Sequence, residues 1–357
     1  MASFLKRLKW KKILTREYSF LYASYAADAF KVMKKEVGTT LEYDFFYGEG
    51  KLLTIYRIEK DIKNSYKMIE KIAKSNPNEI VKKMDKFDEL VKKNYELFGL
   101  IRKTKDKNEI KKFLIELDET FLLTLCYYLF FVYLGYAGNL PSISKFLKKS
   151  GKRFSKIRTY TIDTDMNREY PVLFGNYDTR LKKLTSYMTR KELITAVKGK
   201  AIDIQKILNR KKRYLLIMKK HKIKEVNFLH IDNVVKKELS HLQSVLPQNI
   251  IRGQTACRGK VLGKVKIIFT SNDYKKIRRG DVIVTPMTKP TIVPFLTEVR
   301  GIITNDGGVL SHASVISREM NIPCIVGTDY ATNILKDGDT VELDATHGVV
   351  KKIIKTV

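Results

Sequence analysis

This 357-residue chain is poor in cysteine and in acidic side chains and has no internal repeat. Its 3 cysteines, Cys126, Cys257 and Cys324, are odd in number and far apart in sequence. That spacing excludes a disulfide framework and a Cys-x-x-Cys metal or redox motif, and it points to a reducing compartment with each thiol a small buried apolar group. Only 38 Asp and Glu oppose 69 Lys and Arg, leaving a formal charge of +31. Residues 251–357 hold 16 basic and 10 acidic side chains, a net of +6, so +25 belongs to the first 250 residues. Such an excess attracts polyanions. No nucleic-acid-reading motif accompanies it, and lysines fill the outer faces of amphipathic helices between Lys60 and Lys112, so nucleic acid is not assigned as a partner. There is no P-loop, because no Gly-Lys is followed by Ser or Thr. The N-terminal stretch MASFLKRLKWKKIL is basic and amphipathic but lacks the apolar run and cleavage site of a signal peptide, which predicts a cytoplasmic protein. With 44% hydrophobic and 30% charged residues, the chain has material for two ordinary domains and is not a coiled coil or a disordered tail.

Residues 11–245 read mostly as helices, with apolar residues at helical spacing in YSFLYASYAADAFKVMKKEV, NEIVKKMDKFDELVKKNYELFGLI and NEIKKFLIELDETFLL. LEYDFFYGEGKLLTIYRI predicts a β-hairpin turning at Gly48 to Gly50. Thr189 with Glu192 three residues on predicts a capped helix start. Thr120 to Ser144 carries no charge, and Phe121–Ala137 is almost wholly apolar. Four tyrosines, Tyr127, Tyr128, Tyr133 and Tyr136, lie inside the run and not only at its ends, which favours a buried central helix, with an aromatic-walled pocket as its sharper form; a membrane span through 121–137 is the alternative.

After Pro247 the texture changes to six glycine-punctuated, β-branched strand candidates: GKVLGKVKIIF, GDVIVTP, RGIITND, IPCIVGT, DTVELDA and GVVKKII. Helical stretches are expected near Ile292–Val299 and over Ser311–Met320. The domains are therefore placed at 1–248, basic and mainly helical, and 249–357, an α+β organisation overall. The densest chemistry lies in Thr304-Asn305-Asp306-Gly307-Gly308-Val309-Leu310-Ser311-His312-Ala313-Ser314, where a strand runs into a glycine pair and then a histidine at a helix start. A helix N-terminus favours an anion, and glycines permit close backbone approach, so His312 is poised to receive and hold a phosphoryl group. The bland alternative is that His312 caps the helix or satisfies a core carbonyl. Asp306 and Glu319 flank the motif and are either orienting groups for its second ring nitrogen or solvated carboxylates. His221, His230, His241 and His347 stand at no metal-ligand spacing and are read as structural, the first three in a Lys-rich helical region. No metal site is assigned.

This run resembles the phosphohistidine motif of the phosphoenolpyruvate-utilising enzymes, such as phosphoenolpyruvate synthase, pyruvate phosphate dikinase, rifampin phosphotransferase and enzyme I of the sugar phosphotransferase system. The matching residues are Gly307, Gly308, Ser311, His312, Ala313, Ser314, Val315, Ile316 and Arg318, whereas Leu310 replaces a frequent threonine. Gly253–Gly259 with Gly263–Val265, Thr288–Thr291 with Pro294, Ile322–Gly327, and Asp337–Asp344 with Gly348 extend the resemblance over residues 250 to 352. Lys183–Leu193 resembles the segment before the swivelling domain in synthase-like proteins. The resemblance implies a helical domain followed by a swivelling β/β/α phosphohistidine domain, with His312 as nucleophile, Gly307, Gly308 and Ser311 as the phosphate cradle, and Thr304 and Arg318 as supports. It also implies a phosphotransferase component that has no ATP-grasp domain and no phosphoenolpyruvate-binding barrel of its own. A separate partner would supply those sites, and with its nucleotide or phosphoenolpyruvate any Mg²⁺; no intrinsic cofactor is expected. The alternative of another class is a non-catalytic adaptor in which the swivelling fold docks and the basic helices bind an acidic partner, nucleic acid or membrane surface.

Overall fold

The computed structural model describes residues 8–50, 52–158, 160, 162–243, 250–308 and 311–353. The chain clusters into two units, Met1–Lys11 with Tyr18–Val234, and Lys12–Glu17 with Val235–Val357. The boundary expected at 248/249 lies outside the described residues, as does Leu310.

The chain opens with strand β1 (Trp10–Arg16), helix α1 (Phe20–Val37), and a hairpin of β2 (Tyr43–Glu49) and β3 (Leu52–Ile58). The hairpin is the one expected, with Glu49 opposite Leu52 and Phe46 opposite Ile55. Four long helices follow: α2 (Glu59–Ser75), α3 (Pro77–Lys103), α4 (Lys107–Tyr136) and α5 (Pro141–Arg158). After them come short α6 (Ile162–Thr164), α7 (Tyr170–Tyr177), α8 (Leu181–Leu184), α9 (Arg190–Val197) and α10 (Ile204–Lys212), then β4 (Arg213–Lys219), β5 (Lys222–Glu225) and α11 (Ile231–Gln243).

The β4–β5 pair corrects the all-helical reading of this stretch. YLLIM is apolar at every position, so it shows neither helical nor alternating periodicity, and β4 is buried on both faces beside β2 in a sheet of order β1–β3–β2–β4–β5. His221 accordingly sits in the β4–β5 turn with φ of 62°, not in a helix.

Asp106 caps α4 by accepting from the N–H groups of Asn108 and Glu109. The helix is long and apolar enough to cross a membrane, yet 72% of its apolar window is buried inside the unit. Phe121, Leu125, Phe130, Phe131 and Leu134 are fully enclosed. Each such side chain contributes about 1.5–3 kcal/mol relative to exposure. Asp118 on the same helix is also buried and accepts from the Tyr25 hydroxyl (2.6 Å) and the Arg190 guanidinium (2.6 Å). A carboxylate satisfied in this way belongs to a protein core. The aromatic residues of α4 pack edge-on against their neighbours, with Phe131 5.9 Å from Phe87 and Tyr128 6.2 Å from Tyr160. The capping box at Thr189 and Glu192 forms as expected, and the same Glu192 holds buried Arg210 (2.6 Å), which also pairs with Glu225 (2.6 Å).

In the second unit the strands are β6 (Ile250–Arg252), β7 (Gln254–Cys257), β8 (Lys260–Ile267), β9 (Asp281–Thr285), β10 (Gly301–Thr304), β11 (Cys324–Val326), β12 (Thr340–Asp344) and β13 (Val349–Ile353). Helices α12 (His312–Glu319) and α13 (Ala331–Ile334) flank β11 in the chain. All six strand candidates are present, in one sheet of order β6–β13–β12–β8–β9–β10–β11–β7. The helix expected near Ile292 is a 3₁₀ segment, Pro290–Phe295, with Pro294 inside it. Strands β8 to β11 run parallel, so their side chains alternate between two cores. Val282, Val284 and Ile303 join one layer with Leu343 and Val350. Ile283, Ile302 and Cys324 join the other with Ala313 and Ile316 of α12. Mixed helices and sheet agree with the α+β class.

Candidate functional site

Parallel strands β9 and β10 end in register at Thr285 and Thr304. The loops that follow them therefore leave the same edge of the sheet, the edge at which parallel α/β sheets present ligand sites. The first loop carries Thr288 and the second carries Gly307 and Gly308. Backbone bonds tie the two together: Asn305 and Asp306 donate their N–H groups to the carbonyls of Thr285 (3.1 Å) and Pro286 (2.9 Å). Asn305 also donates its side-chain amide to Thr332 Oγ1 (2.6 Å) and accepts from the Thr332 N–H (3.0 Å), fastening the loop to α13.

His312 is the first residue of α12, with Ser311 as its N-cap. Ser311 Oγ accepts from the Ser314 N–H (3.4 Å) and lies 3.1 Å from Ser314 Oγ, which itself donates to the Gly308 carbonyl (2.7 Å). The cap, the glycine loop and the helix are thus one hydrogen-bonded unit. Gly307 adopts φ of +114°, and a Cβ there would stand 3.0 Å from both Cβ and Oγ of Ser311. No L side chain fits that turn without strain. Gly308 is different: a Cβ would make ordinary contact with Gln254 Oε1 at 3.5 Å. The chain's own packing therefore does not require glycine at position 308.

The imidazole is held by a residue outside this run. Thr288 Oγ1 lies 2.8 Å from His312 Nδ1, and Thr288 is buried. Neither Asp306 nor Glu319 is the group at this ring nitrogen. Asp306 instead accepts the Thr15 N–H through Oδ2 (3.4 Å), and Glu319 reaches His312 only as a charge. Burial pushes the imidazole below its ordinary value, against the opposing pull of Glu319, and so favours the neutral ring. Asp306 is pushed up to about 6 by burial, with Lys12 and Arg16 pulling the other way.

Of the other expected residues, Thr304 is fully buried and donates its hydroxyl to the Asp306 carbonyl (2.6 Å), shaping the loop. Arg318 stands at the far end of α12 and donates to the Ala256 carbonyl (3.4 Å), so it anchors the helix to β7 and is not gathered around His312. His347 is exposed in its turn, 3.0 Å from Asp344. Thr288 was legible only as part of the Thr-Lys-Pro-Thr loop. Its contact with His312 depends on the β9–β10 register, which no local motif carries.

Residues 277–348 match the family model described as PEP-utilising enzyme, mobile domain. The segment is 42% identical over 101 residues to a probable phosphoenolpyruvate synthase of Archaeoglobus fulgidus, a match that covers 28% of this chain and 13% of the relative. It is 43% identical over 109 residues to a phosphoenolpyruvate synthase of Pyrococcus furiosus, covering 30% of this chain and 13% of that protein. Among solved structures, aconitase X of Thermococcus kodakaraensis aligns over 29% of this chain and 98% of its own, at 21% identity and a TM-score of 0.24. The C-terminal segment is thus recognised as a PEP-utilising enzyme mobile domain, and the match spans about one-eighth of the length of the curated relatives.

Proposed function

We propose that the C-terminal unit is a phosphohistidine carrier that moves a phosphoryl group on His312 between a nucleotide- or phosphoenolpyruvate-binding partner and an acceptor. The observation that carries this reading is the 2.8 Å contact between Thr288 Oγ1 and His312 Nδ1 on a ring whose neutral form is favoured. With the Nδ1 proton donated to Thr288, the lone pair of Nε2 is the nucleophile. It attacks phosphorus, the P–Nε2 bond forms, and the bond to the donor's oxygen breaks with its electron pair leaving on that oxygen. Gly307, Gly308 and Ser311 form the cradle, in which the chain's own packing does not demand glycine at 308. Thr304 and Arg318 act at one remove, by holding the loop and the helix. The donor site belongs to a separate ATP-grasp or phosphoenolpyruvate-binding protein in the cytoplasm, Mg²⁺ arrives with that partner's ligand, and the carrier needs no cofactor of its own.

The test is incubation with cell extract and labelled ATP or phosphoenolpyruvate, beside His312→Ala. An acid-labile, base-stable label that is lost in the variant is the expected result. No label with any donor would overturn the carrier reading in favour of an adaptor.

A further inference from the structure

Cys257 and Cys324 are far apart in sequence, yet strand register brings them together. β7 and β11 are antiparallel, and Cys257 is the residue opposite Cys324. Directly opposed residues of an antiparallel pair have Cα atoms about 4.5 or 5.5 Å apart. Both values fall within the roughly 4.4–6.8 Å that a disulfide spans. The register then slips between Cys324 and Ile325, so two residues of β7, Ala256 and Cys257, face one residue of β11. As a result Cys257 packs against the same core layer that contains Cys324, with Ala313 and Ile316 of α12 above it. The two thiols share one face of the sheet, beneath the helix that begins at His312.

We propose that Cys257 and Cys324 form a reversible redox pair that closes to a cross-strand disulfide. A low-molecular-weight disulfide is the oxidant. The Cys257 thiolate attacks one of its sulfurs, forming a mixed disulfide and expelling one small thiolate. The Cys324 thiol then gives up its proton and attacks Cys257 Sγ, which forms the protein disulfide and expels the second small thiolate. Two protein thiols are oxidised, and one small disulfide is reduced to two small thiols. The partners are unequal in a way that sets this order. Cys257 is half-buried and accessible, whereas Cys324 is fully buried and its thiol is pushed up to about 12 by burial, against a hydrogen bond from Ser317. Closure is accordingly the slow step.

The bond would act on the site through β7, which is one of the two edge strands of the sheet. Gln254 of β7 lies against Gly308 of the glycine pair, and the Ala256 carbonyl receives Arg318 of α12. A disulfide to β11 pins this edge to the strand beside it and so stiffens the frame of the glycine loop and α12.

The test treats the full chain with oxidised glutathione, then acid-quenches, unfolds and alkylates it for intact mass and peptide mapping. The expected product carries one alkylated cysteine, Cys126, no glutathione adduct, and a Cys257–Cys324 cross-linked peptide. Cys257→Ser, at a half-exposed position that tolerates the change, is expected to keep both remaining thiols. Cys324→Ala is expected to stop at a glutathione adduct on Cys257. Oxidation is expected to raise the unfolding temperature of the wild type alone. Three alkylatable thiols, a stable adduct without closure, or a bridge to Cys126 would each overturn the proposal. The readout uses no phosphoryl donor, so it succeeds or fails independently of the carrier reading.

Discussion

Replacing Thr288 with valine tests the mechanism at its narrowest point, because it keeps the shape of a buried side chain and deletes one oxygen. In the structure that oxygen is 2.8 Å from His312 Nδ1. On the proposed tautomer its loss leaves a half-buried ring N–H without its partner, which costs about 1–3 kcal/mol. If that cost is felt mainly in the transition state, where Nδ1–H must stay donated as Nε2 takes positive character, the rate falls roughly 5- to 150-fold at about 1.4 kcal/mol per decade. Phosphoramidate is a suitable donor, because it phosphorylates imidazoles without a partner enzyme, and acid-labile phosphate on His312 is followed against His312→Ala as the zero. Nitrogen-15 NMR of the ring provides the readout that a merely structural role would not move: the wild type should carry its proton on Nδ1, and the variant should shift toward the other tautomer. The wild-type rate should also fall as pH drops through a midpoint below the ordinary histidine value, since only the neutral ring attacks. A variant with wild-type rate and wild-type tautomer would refute the reasoning.

Three further substitutions probe the frame. Gly307→Ala forces a side chain onto φ of +114° and toward Ser311 at 3.0 Å; calorimetry should show the C-terminal unit destabilised by about 1–3 kcal/mol, and an unchanged transition would contradict the strained turn. Asp306, with its carboxyl pushed up to about 6 from 3.8, binds its proton more tightly folded than unfolded, so stability should fall as pH rises between those values. The full effect is about 3 kcal/mol by linkage, and Asp306→Asn should flatten that slope in denaturant titrations at pH 4 to 7. Leu125→Ala, inside α4 at 0% exposure, should cost about 2–5 kcal/mol; an unshifted denaturation midpoint would count against a core role for this helix.

What the sequence discloses here follows the range of the interactions. The Ser311 cap, the position of His312 at a helix start and the Thr189 capping box are made by residues within six positions of one another, and the β2–β3 hairpin pairs residues no more than thirteen apart across one turn. Each was legible because its physics is local. Six of the eight strands of the C-terminal unit, β8 to β13, were legible for the same reason, since turns and β-branched runs punctuate them. The β4–β5 hairpin was not, because a strand buried on both faces erases the alternation that would announce it. Thr288 and the Cys257–Cys324 pair were missed for a third reason, which is that strand order and register create them. Thr288 meets His312 because β9 and β10 end side by side, and Cys257 faces Cys324 because β7, an early strand of the unit, lies at the sheet edge beside β11. Parallel pairing and edge addition join residues distant in the chain, and no window of sequence contains both partners. A motif can therefore mark His312, whereas the threonine beside its ring and the cysteines beneath its helix are found only once the sheet order is known.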